Sequence, residues 1–146
     1  MNELKKIKSL CLVFFLAACQ SATSSAYIVE AEVVEAFQRN KMNLVEIHTP
    51  EEEEEDIFGS KLKGVKPGAY QLKEKLVFIY EFDTAADREN GKRVFVEKTA
   101  SMNLVSYSQF EKQNILIFYL HGGNLNPDNV LFEKEIQEAL DSLVEG

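Results

Sequence analysis

Few side chains in this chain of 146 residues suit chemistry near neutral pH: two histidines, His48 and His121, and two cysteines, Cys11 and Cys19. Only histidine titrates there unaided. His121 ends an apolar run and opens the loop His-Gly-Gly-Asn-Leu-Asn-Pro-Asp-Asn, residues 121–129. Its two glycines permit unusual backbone angles and exposed amides ahead of a helix, an arrangement able to hold an anion. The same loop reads equally as a polar connector that caps the following helix. His48 stands shortly before six consecutive acids, Glu51–Asp56. Contiguous carboxylates with no Gly or Asn between them do not wrap one cation. The run is expected to be a solvated loop of mutually repelling charges, or an acidic patch that draws basic partners and repels anionic surfaces. No Gly-x-Ser-x-Gly elbow, phosphate-binding glycine loop or His-Glu-x-x-His helix occurs. The expectation is a chain that is not an enzyme, with no catalytic residue, no metal site and no cofactor.

The cysteines lie in a leader. Lys5, Lys6 and Lys8 precede an apolar run from Leu10 to Leu16, then the small residues Ala17 and Ala18, then Cys19. A basic start, a short apolar stretch and small residues before a cut describe a secretory signal. A helix needs roughly 20 apolar residues to span a bilayer, and this run is too short. The stretch Leu16-Ala17-Ala18-Cys19 resembles the lipobox of bacterial lipoproteins. That resemblance implies cleavage between Ala18 and Cys19, with Cys19 carrying a diacylglycerol anchor on the outer, extracytoplasmic face of the cell membrane. Residues 1–18 are then the signal peptide, 19–26 the lipidated cysteine and its polar tether, and 27–146 a single domain. Losing residues 1–18 removes three lysines and one glutamate, taking the net charge from −8 to −10. It also leaves no free thiol, which excludes disulfides and thiol catalysis from the mature domain. Thirteen Lys against three Arg fit a Gram-positive source. In general character the mature domain is similar to small lipoproteins of Bacillus-type bacteria, with no named family beyond that.

The elements that must position these residues follow from periodicity. Tyr27, Ala31, Val34 and Phe37 fall at helical spacing over 27–39, and Leu44–Ile47 reads as a short strand. Strands are expected at Ala69–Leu72 and Leu76–Phe82, then a helix from Thr84, which with Asp87 makes an N-cap signature, to about Thr99. Strands at Leu104–Phe110 and Ile115–His121 come next. A last helix begins at Asn126-Pro127-Asp128 and carries the stripe Phe132, Ile136, Ala139, Leu140, Leu143. The expected fold is α+β, an antiparallel sheet of four to five strands in the order α-β-ββα-ββα with helices packed on it. Val77–Tyr80 aligns with Leu116–Tyr119 at an offset of 39, leaving open whether the two ββα units are a duplication. The second strand of each pair is apolar on both sides, so both must be covered. The two ββα helices can cover one side; the first helix, the acidic loop or a partner must cover the other.

Function is bounded by exclusion. The acidic charge argues against nucleic acid. What remains is a membrane-anchored, non-catalytic protein-interaction module of the cell envelope with an envelope protein as partner. Tyr80, Phe82, Tyr119 and His121 are its candidate partner or ligand surface. The alternatives are an inhibitor or immunity-type lipoprotein binding a basic secreted enzyme, and a small-ligand or cation binder.

Overall fold

The computed structural model describes residues 26–48, 56–122 and 131–143. The leader, Cys19, the acids at 51–55, the loop residues 123–130 and the expected start of the last helix lie outside the described residues.

Two tight hairpins build the sheet. Strands β2 (Gly68–Leu72) and β3 (Lys75–Glu81) pair antiparallel, as do β4 (Tyr107–Lys112) and β5 (Ile115–Leu120). Each is closed by two residues, Lys73-Glu74 or Gln113-Asn114, whose first member takes positive φ, 54° at Lys73 and 49° at Gln113. A two-residue connection needs such an angle to match the strand twist. The hairpins join through β3 and β5, and the short β1 (Leu44–Glu46) adds beside β2. The result is one antiparallel sheet, ordered β1-β2-β3-β5-β4. This is the expected α+β class with five strands.

Helix α1 (Glu30–Arg39) precedes the sheet, α2 (Ala85–Thr99) links the hairpins, and α3 (Glu133–Asp141) follows them. Alternation along the central strands fills two cores. Val77, Ile79, Ile115, Ile117 and Tyr119 meet α1 and α3 through Val33, Phe37, Ile136 and Leu140. Phe78, Tyr80, Phe82, Leu116 and Phe118 meet Phe95 of α2 and Phe58 and Leu62 of the loop after the acids. Thus the ββα helices α2 and α3 lie on opposite sides, each with a companion, and do not share one side as expected. Of the expected α1 stripe, Phe37 is buried and Val34 packs half-buried against the core, while Ala31 is exposed and Tyr27 precedes the helix; Val33 and Ala36 complete the buried face.

The apparent duplication fails on the same ground. At the offset of 39, Val77 on the α1/α3 side aligns with Leu116 on the α2 side. A one-residue slip in register reverses every side chain. Strand direction and sheet side are both reversed between the units, so a rotation relating them must keep the lateral order of strands. The observed order, β2-β3 followed by β5-β4, reverses it. Only a mirror operation would match them, so the similarity is that of two buried strands.

Candidate functional site

The four side chains expected to form a surface are buried and divided between the two cores. Tyr80 and Phe82 belong to the α2 side; Tyr119 belongs to the α1/α3 side, with His121 beside it at a ring separation of 5.9 Å. The Tyr80 hydroxyl shares its proton between the carbonyl oxygens of Phe58, at 2.8 Å, and Ser60, at 2.6 Å. It ties the 3-10 turn Ile57–Gly59 over the sheet, and burial, with Asp56 nearby, pushes its pKa up. Phe82 lies against Gly91 of α2. The Tyr119 hydroxyl and His121 Nδ1 are buried with no hydrogen-bond partner among the described residues, and burial, with Glu135 adding, raises the tyrosine pKa. The sheet faces are therefore core, closed by the chain's own helices. His48, the other candidate, is exposed at the end of β1.

A more organised constellation stands where the chain enters the domain. Asn114, in the β4–β5 turn, is 2% exposed. Its Oδ1 accepts from the Ile28 amide at 2.8 Å, and its Nδ2 donates to the Ile28 and Phe82 carbonyls, both at 2.9 Å. Beside it Glu81 accepts from the Tyr27 hydroxyl and, at 2.6 Å, from the Glu30 amide. Val29 at the N-cap position of α1 has no polar side chain, so a carboxylate from β3 satisfies the first turn and complements its dipole. The hydrogen bond to Glu81 pushes the Tyr27 pKa up to about 12. Glu30 in turn accepts from the Tyr70 hydroxyl. Burial raises the Glu30 carboxyl above its ordinary 4.5; the Tyr70 bond opposes this, and Glu81 and Glu46 add to it. Glu30 lies over the start of β2, where a Cβ on Gly68 would sit 1.9 Å from its Oε1. This end of the molecule is acidic, and it holds residues 27–30 fast. Among the described residues no group of three or more His, Cys, Asp or Glu is arranged to hold a metal ion.

The third feature is an open groove of about 610 Å³ between α2 and the edge strand β4, lined by Glu89, Asn90, Lys92, Arg93, Val96 and Gln109. Glu111 binds α2 to the edge: it accepts from Lys92 at 2.9 Å and Gln109 Nε2 at 2.7 Å, and pairs with Arg88 at 3.4 Å. The Ser106 carbonyl accepts from the His121 amide at 3.1 Å. Antiparallel ladders alternate inward and outward pairs. Ser108, Phe110 and Lys112 consequently aim their backbone groups at β5, and Tyr107, Gln109 and Glu111 aim theirs outward. Val96, 57% exposed, lines the groove beside this edge.

Neither the clamp nor the groove is visible in the residue pattern. Asn114 reads as a turn residue, Glu81 as the end of a strand, and edge position depends on strand order. Comparison with protein-family models, curated proteins and solved structures finds no match for this chain.

Proposed function

We propose that this chain is a lipid-anchored, extracytoplasmic protein-interaction module of the cell envelope, without catalytic activity, attached to the membrane through Cys19. The observation that carries this reading is the edge of β4, unpaired among the described residues, beside an open groove: with both sheet faces filled by the chain itself, a partner is met at the edge. The clamp supports the anchored arrangement. Residues 27–30, which follow the tether, are bonded to the ends of β3 and β5, so a pull on the anchor is borne by the sheet. The test is in-cell crosslinking of the lipidated protein followed by mass spectrometry, with Cys19→Ala as control. A stoichiometric envelope partner, other than a second copy, that is lost in the control is expected. Absence of any enriched protein overturns the reading.

An inhibitor or immunity-type role is the second reading, favoured by the crowding of Glu30, Glu46 and Glu81 at one end. It calls for capture of a basic enzyme that weakens strongly from 50 to 500 mM salt, because screening shortens the reach of exposed charge to about 3 Å at 1 M.

A further inference from the structure

We infer that two copies of this chain pair through the free edge of β4, antiparallel, on a two-fold axis at Gln109, to form one continuous sheet. The inference deepens the interaction reading and names its first partner as the same chain.

Protected edges carry Pro, bulges, unpaired charge or very short strands. The opposite edge, β1, has three residues. Strand β4 has six, Tyr-Ser-Gln-Phe-Glu-Lys, with no Pro. Of its two charges, Glu111 is held by Lys92 and Arg88 from behind and does not guard the edge, and Lys112 is the strand's last residue, with its backbone groups aimed at β5. Centred on Gln109, an antiparallel pair lets all the outward backbone groups of Tyr107, Gln109 and Glu111 find partners. Across the axis Gln109 faces Gln109, Tyr107 faces Glu111, Ser108 faces Phe110, and Ser106 faces Lys112. No like charges oppose, and the central amides can bond reciprocally. Val96, which lines the groove beside Gln109, would lose exposed surface on pairing.

The anchors agree with this axis. Copies held in one leaflet and related by a two-fold must have it along the membrane normal. Edge pairing puts the axis perpendicular to the sheet. Ile28 packs in the α1/α3 layer, so both chains enter on the same side of the joined sheet. From Cys19 to Ala26 an extended chain reaches roughly 25 Å, enough to bring both anchors to one bilayer.

The test uses the full chain with Cys11→Ser and Cys19→Ser, which separates pairing from anchoring. Sedimentation equilibrium should show a dimer. A Gln109→Cys variant should be joined to its own copy by a short bis-maleimide, whereas Glu135→Cys on the exposed side of α3 should not. Gln109→Pro removes an outward amide and leaves the β4–β5 bonds intact, as edge strands allow, so it should be monomeric with the wild-type far-ultraviolet circular dichroism spectrum. Gln109→Lys sets two cations on the axis and should weaken pairing about tenfold, which keeps the test decisive if the proline variant fails to fold. A monomer in the parent chain, equal crosslinking from both cysteines, or dimers that withstand Gln109→Lys would overturn the inference. Loss of the membrane anchor would leave these results unchanged.

Discussion

At the scale of single residues, Asn114 does most to hold the start of the domain. It joins the entering chain, the end of β3 and its own turn through four hydrogen bonds, the Phe82 amide to its carbonyl at 3.0 Å being the fourth. Asn114→Ala strands three of those groups away from water, at about 1–3 kcal/mol each before relaxation. A loss of about 3 kcal/mol in urea unfolding is expected, with faster hydrogen exchange at Ile28. Glu30 acts in the opposite direction. Its carboxyl holds a proton more tightly when folded, so its contribution is full below pH 4.5 and is lost as pH rises through the raised value. Ionised Glu30 therefore weakens the fold at neutral pH. Glu30→Gln keeps an acceptor for Tyr70 and should melt higher than wild type at pH 7, with the advantage gone below pH 4.5. Neither residue announces itself in the chain, because the partners of Asn114 lie 86 and 32 positions away.

At the scale of elements, local signals read well wherever they are self-contained. Thr84 caps α2 as its spacing with Asp87 implies: the Asp87 amide donates to Thr84 Oγ1 at 3.0 Å. Of the last stripe, Ile136, Ala139, Leu140 and Leu143 are buried as expected, whereas Phe132, in a left-handed conformation just before α3, is only partly buried. The α1 stripe holds at Phe37 and Val34 but is misplaced at its start, because Tyr27 resembles a helical apolar position while its hydroxyl is held by Glu81 outside the helix. Gly91 shows tertiary packing overriding propensity. Gly to Ala at an exposed helix interior gains about 1 kcal/mol. Here the new Cβ would lie 2.4 Å from the buried Phe82 ring. Gly91→Ala should destabilise by about 2 kcal/mol, as overpacking does, a reversal of sign that denaturant titration reads directly. Gln113 offers the converse. It occupies positive φ in a two-residue turn, a conformation that costs a non-glycine residue about 1 kcal/mol. Gln113→Gly should recover up to about 1 kcal/mol without altering the hairpin.

At the scale of the whole molecule, the fold class, strand number and alternation of apolar residues were legible, because strands apolar on both sides demand two covering layers. Which helix covers which side was not, since it depends on the α2 crossover from β3 past β5 to β4. For the same reason Tyr80, Phe82 and Tyr119 read as a surface stripe and prove to be core on opposite sides. Among the described residues, an edge and a groove are left open on a sheet to which residues 27–30 are locked.

The anchored reading stands or falls on the lipid at Cys19. The most direct measurement is incorporation of labelled palmitate in cells, with detergent phase partition, for wild type and Cys19→Ala. The expected result is label and detergent-phase protein in the wild type, with neither in Cys19→Ala, which should accumulate unlipidated. Equal label in both, or a wild type that carries none and partitions into water, would contradict it.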